Sequence, residues 1–178
     1  MLPLGTTAPD FTLPDPSGQE VALDTVAAGA TGVLVAFVCN HCPYVKHIAE
    51  VFGALAREWA AIGVPTVAIN PNDPEAYPED SPERMATQGP AWGWDFPYLF
   101  DETQDVARAY TAACTPDLFL FDADRKLVYR GQFDSSRPGN NQPVTGADVD
   151  AAVRAVADGK TPEGDQRPSI GCSIKWRK

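Results

Sequence analysis

Val33-Leu34-Val35-Ala36-Phe37-Val38-Cys39-Asn40-His41-Cys42-Pro43 joins an unbroken apolar run to two cysteines with two residues between them. The run is rich in β-branched side chains and shows no polar alternation, so it reads as a strand buried on both faces in the middle of an α/β sheet. Beyond it, Val45, Ile48, Val51, Phe52, Leu55, Trp59 and Ile62 recur at spacings of three and four, which predicts a long amphipathic helix. Pro43 suits the first helical turn, where its missing N–H is no loss, and Gly63 suits the C-terminal cap. The cysteine motif therefore sits where a central strand meets a helix N-terminus.

Working outward, Val64 to Ile69 reads as the next strand, with Pro65 tolerable near its start. A Pro-rich insertion runs from Asn70 to about Pro97; within it Ser81-Pro82-Glu83 opens a short helix that Gly89 is expected to close. Val106, Ala109 and Tyr110 share one face of a helix expected over 103–112. Leu118 to Phe121 is apolar again, and Asp122-Ala123-Asp124 turns it back into 127–133 as a hairpin. Thr145 with Asp148 suggests a capping box for a last helix ending near Gly159. Phe11 to Leu13 and Val21 to Leu23 suggest an N-terminal β-hairpin. No repeat and no linker divides the chain, so one domain over 1–178 is expected. Its class is α/β, a central mixed β-sheet flanked by helices, with the insertion after the second core strand.

Fourteen basic against twenty-four acidic residues give a net charge of -10, with no Lys/Arg cluster to hold phosphates. Neither nucleic acid nor an anionic membrane is expected as a partner. No stretch approaches the roughly 18 consecutive apolar residues of a membrane helix. Met1-Leu2-Pro3-Leu4-Gly5 lacks the basic and apolar segments of a secretory signal, so the cytoplasm is the expected compartment. In a cytosolic chain of this size, Cys39, Cys42, Cys114 and Cys172 are read as catalytic, metal-binding or buried rather than as a disulfide framework.

A C-x-x-C pair at a helix N-terminus has a direct chemical use. Free N–H groups and a partial positive charge stabilise a thiolate there, moving a thiol pKa from about 8.5 into a range of roughly 3.5 to 7.5. Cys39, expected nearer those groups and more exposed, is the candidate nucleophile; Cys42 is the candidate resolving thiol. His41, between them, is a modulating residue that favours the Cys39 thiolate when protonated. His47 is expected to be an exposed helix residue. The partners implied are a protein or small-molecule disulfide and a thiol reductant, with no cofactor. A different-class alternative is metal binding by Cys39, Cys42, His41 and His47, completed by Cys114 or Cys172. With no second C-x-x-C, no metal is assigned. Trp92 and Trp94 are expected to pack the insertion onto the sheet.

The element order and the motif position resemble the thioredoxin superfamily. The stretch from Cys39 to His47 resembles a bacterial subgroup of thioredoxin-like redoxins grouped with AhpC/TSA-type antioxidant proteins. Tyr77 to Pro82, Cys114 to Asp117 and Pro168 to Trp176 are similar to the same subgroup. The resemblance implies a thioredoxin-like fold and thiol-disulfide oxidoreductase activity. It also implies a cis-proline at Pro116 opposite the redox pair, with the Thr115 backbone offered to an extended substrate strand. Two features depart from thioredoxin: Val38 stands where a tryptophan precedes the motif, and 33–38 contains no carboxylate. The peroxiredoxin pattern P-x-x-x-T-x-x-C is missing too, because Gly32 and Ala36 hold its Pro and Thr positions. A thiol peroxidase is thus the alternative within the class, and hydrogen peroxide is expected to be a poor substrate. Cys114 is expected to be a small buried hydrophobe. Ile170, Ile174 and Trp176 make the tail too apolar to float free. It is expected to dock, with Cys172 dispensable for exchange at the first pair.

Overall fold

Two short strands, β1 (Thr12–Pro14) and β2 (Glu20–Ala22), form the N-terminal hairpin in the computed structural model, which describes residues 1–178. One turn of helix, α1 (Leu23–Val26), leads to β3 (Gly32–Phe37), in which every residue is buried. Then come α2 (Pro43–Ala61), β4 (Thr66–Asn70), a 3₁₀ turn at Pro78–Asp80 and α3 (Pro82–Ala91). The chain continues through β5 (Tyr98–Phe100), α4 (Asp105–Ala109), β6 (Cys114–Thr115), β7 (Asp117–Asp122) and β8 (Leu127–Gly131). It ends with α5 (Ala147–Ala157) and a two-residue strand, β9 (Cys172–Ser173).

The main sheet has the order β5-β4-β3-β7-β8. β3 runs parallel to β4, with Val35 opposite Val67, and antiparallel to β7, with Val35 opposite Phe119. Because side chains alternate along a strand, the apolar run feeds two cores. Leu34, Ala36 and Val38 pack with Val45, Phe52 and Trp59 of α2 and with Val149 and Val153 of α5. Val33, Val35 and Phe37 pack on the other face with Phe11, Leu23, Ala107 and Tyr110. Each such large side chain stabilises the fold by about 1.5–3 kcal/mol. The result is the expected mixed sheet covered by helices on both faces. No helix is long and apolar enough to cross a membrane.

Several local expectations give way to tertiary contacts. α3 runs past Gly89, which packs against the Tyr98 ring, and ends at Trp92, with Gly93 at φ +76°. The helix expected over 103–112 contracts to the five residues of α4. β5, which no sequence signal announced, follows the Pro-rich stretch directly and is recruited by pairing of Ile69 with Leu99. The Thr145–Asp148 capping box does not form. Asp134 Oδ2 instead accepts the N–H groups of Thr145 and Gly146, both at 2.7 Å, while Gln132 donates to Asp148. Trp94 packs the insertion down as expected: it is buried against Phe52 and Tyr98, and its Nε1 donates to the Ala49 carbonyl at 2.8 Å.

Candidate active site

The redox motif is placed by β3, whose end delivers Cys39, and by α2, whose N-cap is Cys42 with Pro43 in the first turn. Both sulfur-bearing residues are fully buried, which corrects the expectation that Cys39 is the more exposed. Cys42, as the N-cap, is also the nearer of the two to the helix terminus. β6 then brings Thr115 and Pro116 against the pair, and the Thr115–Pro116 peptide is cis. Cys39 Sγ lies 3.5 Å from Thr115 Oγ1, and Cys42 Sγ lies 3.2 Å from the Thr115 carbonyl oxygen.

The carboxylate missing from the strand is supplied by the insertion. Asp80, with no exposed surface, lies under the cysteine loop. Its Oδ1 accepts the backbone N–H groups of Asn40 at 2.8 Å and His41 at 3.1 Å. Its Oδ2 accepts from Asn72 Nδ2 at 2.9 Å and pairs with His41 Nδ1 at 2.5 Å. His41 Nδ1 is 3.9 Å from Cys39 Sγ, so one imidazole nitrogen faces both the thiol and the acid. The His41 ring stacks on Tyr77, and Asn40 is held by the Tyr98 hydroxyl at 2.8 Å. Asp80 lies within the stretch from Tyr77 to Pro82, but nothing in the sequence assigns it a role. A lone acid beside Ser81-Pro82 carries no spacing signal toward a loop 40 residues earlier.

The electrostatics of the pair follow from this packing. The Cys39 and Cys42 thiols perturb each other's titration, so loss of one proton makes loss of the second harder. At Cys39 the Cys42 neighbour, burial and the Asp80 carboxylate all hold the thiol well above its ordinary value. At Cys42 the Cys39 S–H, with help from Cys172 and Thr115, outweighs burial and brings the thiol down to about 4. The pair therefore holds one thiolate and one proton between its two sulfurs. As a thiolate, Cys42 gives up its hydrogen bond to the Thr115 carbonyl.

The other candidates separate clearly. Cys39, His41 and Asp80 offer ligand atoms within 4.8 Å of one another, a cluster that neither His47 nor Cys114 joins. Both Asp80 oxygens already accept two hydrogen bonds each, which suits an organising carboxylate better than a metal ligand. His47 is half-buried rather than exposed, and its Nε2 is enclosed without a partner. Cys114 is half-buried with Sγ 3.6 Å from the Pro116 carbonyl, and burial pushes its thiol up to about 12. The tail does dock, and on the redox side: β9 pairs antiparallel with β6, setting Cys172 opposite Thr115.

A model of the AhpC/TSA family matches residues 4–130. A thiol-disulfide oxidoreductase ResA of Geobacillus thermodenitrificans is 29% identical over 124 residues, covering 70% of this chain. The chain spans 66% of the length of that relative. A solved structure of a hypothetical protein from Sinorhizobium meliloti 1021 superposes with a TM-score of 0.97 at 50% identity, covering 99% of this chain and 96% of the other. An uncharacterized conserved protein from Geobacillus kaustophilus gives 0.95 at 52% identity, covering 99% and 94%. Peroxidoxin BcpB from Mycobacterium tuberculosis, at 23% identity and TM-score 0.64 over 88% of this chain and 96% of its own, shares the fold.

Proposed function

The chain belongs to the AhpC/TSA family of thioredoxin-like redoxins, and from that premise we propose that it is a thiol-disulfide oxidoreductase working through Cys39 and Cys42. The observation that carries this reading is a pair of buried thiols at the N-terminus of α2, both in contact with Thr115 beside the cis Thr115–Pro116 peptide. Such a pair already carries one thiolate at neutral pH and can then be oxidised together.

In the proposed cycle the Cys39 proton passes to the Cys42 sulfur, and the Cys39 thiolate attacks a substrate disulfide. A Cys39–substrate bond forms, the substrate S–S bond breaks, and its electron pair leaves on the departing sulfur. Cys42 gives its proton to that thiolate and attacks Cys39, which closes the Cys39–Cys42 disulfide and releases the second substrate sulfur as a thiolate that takes a proton from water. An external dithiol returns the enzyme to its reduced form by the same steps reversed. His41, bridging Cys39 and Asp80, positions the loop and tunes the first sulfur. The substrate class is a disulfide of a protein or small molecule, and the cytoplasm is the compartment proposed, with residues 1–178 acting as one unit. Catalysis of peroxide reduction is the competing reading that family membership supports. Against it, Ala36 stands where that chemistry has a threonine and Cys39 is fully buried.

The test is trapping. Cys42→Ser should accumulate mixed disulfides with substrates through Cys39, whereas Cys39→Ser should accumulate none through Cys42. Trapping by Cys39→Ser alone would reverse the two roles, and trapping by neither would remove the pair from disulfide exchange. Stopped-flow oxidation of the reduced protein by hydrogen peroxide should be no faster than for an ordinary low-pKa thiol; a much faster rate would favour the peroxidase.

A further inference from the structure

Thr115 presents its backbone beside the redox pair, the position where strand addition would seat an extended substrate. That edge is already taken. β9 lies along β6 with Cys172 opposite Thr115 and Ser173 opposite Cys114. The approach is so close that a Cβ built on Gly171 would stand 2.0 Å from the Thr115 carbonyl oxygen. Directly opposed residues of an antiparallel pair project to the same face, so Cys172 shares the face on which Thr115 meets Cys39. Its side chain packs against the cluster that contains Cys39 and Cys42, and Cys42 is near enough to perturb its thiol.

The tail is held there by specific contacts. Lys175 N–H donates to Asn72 Oδ1 at 2.9 Å, and the Asn72 amide donates in turn to Asp80, the acid that holds the cysteine loop. Asp73 N–H donates to the Lys175 carbonyl at 3.0 Å, and Gln104 Nε2 bonds the same carbonyl at 3.0 Å. Ile174 is buried in the second core. The strand that fills the substrate position is thus part of the same network as the redox loop.

Against the sequence-based expectation that Cys172 is dispensable, we propose that it is a third redox thiol of this site, an internal substrate that exchanges with the Cys39–Cys42 disulfide. The inference rests on the dithiol–disulfide reading above. In the oxidised enzyme the Cys172 sulfur, on losing its proton, attacks Cys42. The Cys172–Cys42 bond forms, the Cys42–Cys39 bond breaks, and the electron pair leaves on Cys39, which takes up a proton. The exchange conserves oxidation level and needs no added oxidant or reductant. Its product is an enzyme still carrying one disulfide but with Cys39 free to attack another. In the dithiol state burial and the adjacent Cys42 sulfur push the Cys172 thiol up to about 11, so it acts there as a proton donor. When Cys42 is in a disulfide it carries no charge, and that neighbour's opposition to a Cys172 thiolate is gone.

The experiment is disulfide mapping of the full-length protein after stoichiometric oxidation with diamide, alkylation at low pH and non-reducing digestion. Wild type should give the Cys39–Cys42 disulfide together with a smaller Cys42–Cys172 population. Cys39→Ser should give Cys42–Cys172 as its main intramolecular disulfide, well ahead of any bridge to Cys114. Cys39→Ala repeats the test with no polar atom at that position, and thermal melts of both variants check that the fold is kept. The double variant Cys39→Ser, Cys172→Ser should leave Cys42 open to alkylation. If wild type forms Cys39–Cys42 while Cys42 and Cys172 both stay alkylatable in the folded Cys39 variants, the third-thiol inference is overturned and the exchange reading stands. If wild type forms no Cys39–Cys42 disulfide, the exchange reading fails and takes this inference with it.

Discussion

Replacing Asp80 should damage the site more than any other single change outside the cysteines. Its two oxygens accept four hydrogen bonds, two of them from the backbone of the cysteine loop, and the residue has no exposed surface. Hydrogen bonds to charged groups contribute about 1.5–3 kcal/mol each, and their losses are not additive. Asp80→Ala leaves buried donors on Asn40, His41 and Asn72 without partners, a loss expected at about 3–5 kcal/mol. For a chain of this length that lowers Tm by roughly 10 °C. Asp80→Asn keeps a carbonyl oxygen for the two backbone amides but sets its NH₂ against that of Asn72, so about 1–3 kcal/mol is expected. Asp80→Asn also removes the carboxylate that helps hold the Cys39 thiol up, so the thiolate share should move from Cys42 toward Cys39. Calorimetry of the reduced variants reads the first effect. Mass-spectrometric scoring of Cys39 against Cys42 alkylation reads the second, as a rise in the Cys39 share. An Asp80→Ala protein as stable as wild type, with an unchanged alkylation ratio in Asp80→Asn, would refute this account of the loop.

Two further outcomes test the same physics. With the Cys42 thiol down at about 4 in the native dithiol and near 8.5 when unfolded, the native state binds fewer protons between those values. The stability of reduced wild type relative to Cys42→Ser should therefore rise with pH across that window, by at most about 1.4 kcal/mol per unit, and be lost as pH falls through 4. Denaturant titrations at pH 5 and pH 8 check the sign, and a constant difference between the two proteins would contradict it. Gly171→Ala should unseat β9, because the added Cβ meets backbone atoms of Thr115 at 2.0 and 2.6 Å that cannot turn aside. Alkylation of Cys42 should then accelerate and the tail become open to proteolysis; an unchanged rate would mean that the strand is not what covers the sulfurs.

The chemistry-bearing junction was legible in the amino-acid order because its determinants are local. The short, β-branched run from Val33 to Val38 reads as a strand buried on both sides, and the spacing from Val45 to Trp59 as a helix buried along one stripe. The cysteines between them inherit their position at the helix terminus from these two neighbours alone. The hairpin through Asp122-Ala123-Asp124 was readable for the same reason. What escaped is set by contacts distant along the chain. Tyr98 to Phe100 becomes a strand only because β4 offers an edge, and α3 passes Gly89 because Tyr98 packs there. The fold also decides that Cys39 is buried, that Asp80 reaches a loop 40 residues away, and that Thr115 meets Cys39 across 76 residues. It alone decides that Cys172 lies opposite Thr115 on the redox side and not on the far side. Periodicity reports which face of a segment is apolar, but it holds no information about which distant polar group that face will meet. Hydrogen bonds to buried groups are satisfied only once the whole chain has closed around them.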